Sequence, residues 1–229
     1  MEEWSVTFRT TSSLALLIVA FALLPTVAYG GTIGPFEGSY YTLTYNSTPV
    51  ATGSGTETYR VTYVADTSGY SGTGSYLDSV ALKVTSSSAL IGATPISAPG
   101  GIDNWLLRVN DTLNAEGCTD GSNGGFVCDD LTLTSTQAVA YTGVPNTQPY
   151  TWVFDVTVAS GSLFTGTDQA SIKARYANMD GTKAGALLSQ NITLTSTPPS
   201  PVPEPSSIIL LASGLLGVPI AAWRRRKKS

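Results

Sequence analysis

The chain has 229 residues, a formal net charge of −4, no histidine, two cysteines and only 12% charged residues. The absence of histidine excludes Ser-His-Asp and Cys-His catalysis, His-ligated zinc and imidazole acid–base steps. Low charge with abundant Gly, Ser and Thr excludes a disordered chain and a Glu/Lys/Ala-rich helical one, and points to short strands and turns around one core.

The first element is the apolar run Leu14 to Leu24 (LALLIVAFALL), followed by Pro25 and small residues. That run suits the apolar region of a signal peptide for the Sec export machinery and is short for a bilayer span. Ala28-Tyr29-Gly30 puts small residues at −3 and −1, so cleavage is expected before Gly31, with Thr26-Val27-Ala28 as the second choice. Residues 1–30 are therefore read as the signal peptide. Glu2 and Glu3 against Arg9 make its positive bias weak, which leaves an uncleaved anchor as the alternative.

From residue 31 the apolar residues alternate with period two. Tyr41-Leu43-Tyr45, Tyr59-Val61-Tyr63, Val80-Leu82-Val84, Trp105-Leu107-Val109, Leu131-Leu133, Tyr150-Trp152-Phe154-Val156-Val158 and Ile172-Ala174-Tyr176 follow in order. Asp180-Gly181 signals a turn, and Ile192-Leu194 is expected to form a last strand. Ala184 to Gln190 (AGALLSQ) is ambiguous. About eight short strands with Thr-rich polar faces predict an all-β fold, an antiparallel two-sheet sandwich over residues 31–196, with a barrel as the alternative. An N-terminal signal helix and a C-terminal transmembrane helix flank it in this reading.

Gly117 to Asp130 (GCTDGSNGGFVCDD) holds both cysteines, Cys118 and Cys128. In an exported chain they are expected to form a disulfide that staples a flexible loop. A calcium site using Asp120, Asp129 and Asp130 is the weaker reading, because the loop lacks the D-x-D-x-D-G order. No cofactor or metal is expected.

Between Gly31 and Pro205 there are 14 acidic and six basic residues, a net charge of −8, which argues against a nucleic-acid partner. No spacing among the acidic residues selects a catalytic pair, and no enzyme is expected. Trp105 and Trp152 alternate with aliphatic residues and are expected in the core. Tyr70 and Tyr76 lie in a Gly/Ser-rich stretch (SGYSGTGSY) and are expected to be exposed, as candidate sugar contacts. Asn46, Asn110 and Asn191 begin Asn-x-Ser/Thr triplets, which are frequent by chance in a Thr-rich chain.

The C-terminus carries the most specific pattern. Residues 197–201 (TPPSP) form a stiff, extended spacer. Val202-Pro203-Glu204-Pro205 follows, then an apolar segment at 206–223 and the basic stop Arg224, Arg225, Arg226, Lys227 and Lys228. That segment would rise about 27 Å as a helix, an adequate span, and the basic residues would hold the tail in the cytoplasm. Together these residues closely resemble the PEP-CTERM sorting signal. The resemblance implies recognition and cleavage near Pro-Glu-Pro by exosortase, a membrane-embedded enzyme, in bacteria that make exopolysaccharide. The Cys-bearing segment, with YTWVFDV at 150–156, SIKARY at 171–176 and GALLSQNIT at 185–193, also resembles an ectodomain that recurs among such proteins, and implies no site residues. The expected function is structural or interactive, in the envelope or extracellular matrix. Membrane attachment is expected to last until the tail is processed. The alternative is a polysaccharide-binding module of the exopolysaccharide matrix.

Overall fold

The computed structural model describes residues 27–119, 123–166 and 169–197. Most of the signal-peptide segment, Asp120, the proline spacer from 198 on, the motif at 202–205, the apolar segment at 206–223 and the basic stop at 224–228 lie outside the described residues.

Two antiparallel sheets pack face to face. The first contains β1 (Ala28–Phe36), β2 (Ser39–Asn46), β3 (Ala51–Gly53), β4 (Thr56–Asp66), β6 (Leu90–Ser97), β10 (Tyr150–Ala159) and β13 (Thr195–Thr197). Its order is β13-β1-β2-β4-β10-β6, with β3 also paired to β4. The second contains β5 (Tyr76–Lys83), β7 (Trp105–Asn114), β8 (Gly117–Thr119), β9 (Phe126–Leu131), β11 (Ala170–Ala177) and β12 (Lys183–Ile192), in the order β12-β11-β5-β9-β7-β8. Among the described residues an α-helix, α1 (Ser135–Thr142), follows β9.

Alternation explains the first sheet. Along β2, β4 and β10 the tyrosines, Trp152, Phe154 and the valines expected to point inward are buried, while Tyr40, Thr44, Arg60 and Thr151 are exposed. Their inner face shares one core with Leu77, Val80, Leu82, Val127, Ile172 and Tyr176 of the second sheet. Trp152 sits at the centre, edge-on to Trp105 at 5.2 Å and to Tyr63 at 5.7 Å. The Tyr41 and Tyr176 hydroxyls meet across the sheets at 2.5 Å, and Tyr176 donates onward to Ser39 Oγ at 3.1 Å. Hydrogen-bonding these hydroxyls to each other satisfies polar groups that burial would otherwise penalise.

Several elements differ from the sequence expectation. The ambiguous Ala184–Gln190 stretch is strand, and Ile192 closes β12 instead of opening the last strand. Leu133 lies beyond β9, and Val84 lies beyond β5. β1, β3, β6 and β8 were not expected, nor was α1. β1 and β6 carry Gly and Pro, and β6 tolerates Pro95 because it is a sheet edge. β5 is buried along nearly its whole length, without alternation, because its outer face is covered as well.

Candidate functional site

The cover over β5 is the β7–β8 hairpin. The β7–β9 ladder slips between Val109 and Asp111, where Asn110 takes φ 62°. Past that irregularity the hairpin folds back over the outer face of the second sheet. Lys173 Nζ donates to Thr112 Oγ1 at 2.7 Å and to Leu113 O at 3.3 Å, and Arg175 Nε donates to Ala115 O at 2.9 Å. The Cys118–Cys128 disulfide, with 5.8 Å between Cα atoms, pins the hairpin to β9. Beneath it Leu113, Cys118, Phe126, Cys128 and Ala81 form a second small core. The expected disulfide is therefore present, and it fastens a hairpin across a sheet face as well as closing a loop.

Asp129 and Asp130 occupy opposite faces of β9, as successive strand residues must. Asp129 shares the inward face of Val127, fully buried, and neither carboxylate oxygen has a hydrogen-bond partner. Burial, reinforced by the charge of Asp130, pushes its pKa up to about 7. Asp130 faces outward and accepts from Cys118 N at 2.8 Å. Two carboxylates on opposite faces do not close on one ion, so Asp129 and Asp130 do not together supply the calcium ligands expected of them, and Asp120 lies outside the described residues. Among the described residues no group of three or more acidic or cysteine side chains is arranged to hold a metal.

The outward carboxylate opens into a polar cleft of about 320 Å³ lined by Asp78, Ser79, Glu116, Asp130, Ser135 and Arg175, among others. A bulge builds its floor: Arg175 pairs with Ser79 and Tyr176 with Leu77, so Asp78 is the extra residue on β5. Asp78 and Ser79 thereby both line the cleft. The Arg175 guanidinium is ion-paired to Asp78 and donates also to Gly181 O at 3.3 Å, so one side chain ties hairpin, bulge and β11–β12 turn together. Gly117, at φ 111°, lets backbone pass over Asp130; a Cβ there would lie 3.1 Å from both carboxylate oxygens. Asp78 Oδ1 and Asp130 Oδ1 are buried and have no hydrogen-bond partner. Burial raises the Asp130 pKa from its ordinary value. The cleft is thus rich in acceptors, net negative and suited to a ligand that donates hydrogen bonds.

Tyr70 and Tyr76 correct the expectation of exposure: they are 8% and 4% exposed. The Gly/Ser stretch closes over Tyr70. Its ring stacks on Tyr176 at 4.3 Å, and its hydroxyl accepts from Gly74 N at 2.9 Å. A Cβ on Gly72 would come within 2.5 Å of that hydroxyl, so the small residues serve close packing and not exposure. Tyr76 packs with Ala138 and Ala177 and donates to Ser135 Oγ at 3.4 Å. Trp105 and Trp152 are core, as expected. Sequence reasoning missed Asp78, Ser79 and Arg175; the bulge that unites them leaves no mark in the alternation.

The described residues define an antiparallel β-sandwich protein. The family model for the PEP-CTERM protein-sorting motif matches residues 201–227, and the chain carries that motif. Val202, Pro203, Glu204, Pro205 and Arg224 through Lys227 fall within the match, and Lys228 is one residue past it. The motif indicates an exported protein sorted at the membrane or cell surface, and agrees with exosortase-mediated processing. No curated protein and no solved structure matches the chain.

Proposed function

We propose that this chain is an exported, exosortase-processed protein of the cell surface or extracellular matrix, in which the β-sandwich has a structural or interaction role and no catalytic one. The sorting motif at 201–227 carries this reading. Arg175 neutralises Asp78, and Asp129 faces the core, so neither is offered to a substrate as an acid–base pair. Peptide mapping of the mature protein, from a host with a working sorting enzyme, tests it. The last peptide is expected to stop near Pro205. An intact Arg224–Lys228 tail in all mature protein would instead make the C-terminus an ordinary membrane anchor.

One observation favours a second reading, that the sandwich binds a neutral sugar of the matrix. Asp78 and Asp130 both line the cleft, and one carboxylate oxygen of each is buried without a hydrogen-bond partner. Sugar hydroxyls donate to a carboxylate-lined cleft of this kind, whereas a uronate would be repelled. Saturable binding of the mature protein to the host's purified exopolysaccharide, weakened by Asp130→Asn and unchanged by calcium, is the expected result. Absence of binding would leave the structural or protein-partner role.

A further inference from the structure

The first described strand brings the two ends of the sandwich together. On one edge, β1 pairs with β2 from Ala28↔Asn46 to Ile33↔Tyr41 and again at Phe36↔Ser39. On the other edge its first three residues pair with β13: Ala28↔Thr197, Tyr29↔Ser196 and Gly30↔Thr195. β13 has no other strand partner among the described residues. Thr195 Oγ1 also donates to Gly30 O at 3.2 Å. The Tyr29 ring, half-buried against the core, lies 5.9 Å from that of Tyr45. Next to it, a Cβ on Gly31 would lie 2.3 Å from Thr193 O, so the chain leading into β13 runs directly against β1.

The sequence around this strand offers two cleavage sites for signal peptidase. Ala28-Tyr29-Gly30 and Thr26-Val27-Ala28 both place small residues at −3 and −1, and the sequence alone ranks the first ahead. The pairing reverses that order. A cut before Gly31 removes every residue that pairs with β13 and takes the Tyr29 ring from the core. A cut after Ala28 removes one register pair with β13 and keeps two. It also keeps the Tyr29–Tyr45 contact. An unpaired three-residue strand holds no backbone hydrogen bonds of its own and frays.

We infer that the signal peptide is removed between Ala28 and Tyr29, and that Tyr29 and Gly30, at the new end, clasp the C-terminal strand β13. The proposal rests on the export reading for the cleavage itself. It adds a structural consequence, because β13 is the last element before the proline spacer and the sorting motif. The first processing event then leaves the residues that hold the segment leading to the second.

The test is mass spectrometry of the protein recovered from its export host, followed by amide exchange on the same sample. The N-terminal tryptic peptide ends at Arg60, and it is expected to begin Tyr29-Gly30-Gly31. A peptide beginning at Gly31 overturns the assigned site while leaving export intact. A peptide retaining Met1 in all exported protein overturns the cleavage reading altogether. With the Tyr29 end in place, the Thr195–Thr197 segment is expected to exchange at least roughly tenfold slower than a denatured chain. Exchange at the denatured rate overturns the clasp.

Discussion

Asp129 and Asp130 are consecutive in β9, yet one carboxylate is sealed in the sandwich core and the other opens onto the outer cleft. The inward one has no hydrogen-bond partner, and its burial has a definite consequence for stability. Unfolded, an Asp carboxyl ionises near pH 4. Folded, Asp129 ionises at about 7. Between these values the folded state holds a proton that the unfolded state has released, so this residue's contribution to stability falls as pH rises. Asn is neutral throughout. Asp129→Asn is therefore expected to be more stable than the wild type above about pH 7, on the order of a few kcal/mol. The difference should close toward about pH 4. Urea midpoints of both proteins across that range measure it. A pH-independent gap would show that Asp129 does not titrate in the core.

Reduction of the disulfide tests how the hairpin is held. Cys118 and Cys128 are ten residues apart, and a loop of that size is expected to contribute about 2–3 kcal/mol through the unfolded chain. Reduced protein should lose that much by denaturant titration. Amide exchange should quicken across residues 111–119, since the bond is the hairpin's covalent tie to β9. Amides of the β4–β10 ladder should keep their protection, because those strands lie in the other sheet. Uniform loss of protection would mean that the hairpin and the sandwich unfold as one unit.

What was readable in the sequence follows the same division. β2, β4 and β10 are buried on one face only, so period-two alternation located them and their core residues. The second sheet is covered on both faces where the hairpin lies, and β5 (YLDSVALK) accordingly loses its alternation. The bulge at Asp78 and the irregularity at Asn110 depend on partners distant in the chain, so the cleft they form had no local signal. Tyr70 failed for a related reason. Gly-rich neighbours indicate exposure when a loop is free, but close approach when it packs back on a core. The sorting tail was readable because its recognition rests on contiguous residues, with no need of a tertiary partner.

The Arg60–Asp155 and Arg175–Asp78 pairs are expected to behave differently. Arg60 and Asp155 face each other across β4 and β10 at 2.8 Å, with side chains 50% and 20% exposed. Water screens that pair, and Arg60→Ala should leave the denaturant midpoint nearly unchanged. Arg175 and Asp78 are about nine-tenths buried. Asp78→Ala would leave a buried guanidinium without its counter-charge and is expected to cost about 3–5 kcal/mol. Parallel denaturant titrations compare them. A small effect at Asp78 would show that water reaches Arg175 through the cleft.

Trp152 offers a test that separates shape from polarity in the core. It is fully buried, edge-on to Trp105 and Tyr63, and its Nε1 has no hydrogen-bond partner. Its contribution is therefore packing, and an unsatisfied N–H subtracts from it. Trp152→Ala opens a large cavity and is expected to cost about 3–5 kcal/mol. Trp152→Phe keeps an aromatic edge for both neighbours and removes the unpaired N–H, so it should cost well under half as much. Thermal unfolding, followed by near-ultraviolet circular dichroism for the remaining aromatic contacts, distinguishes the two. If Phe proved as damaging as Ala, the second indole ring would be what fills the space between the sheets, and the six-membered edge contacts would be secondary.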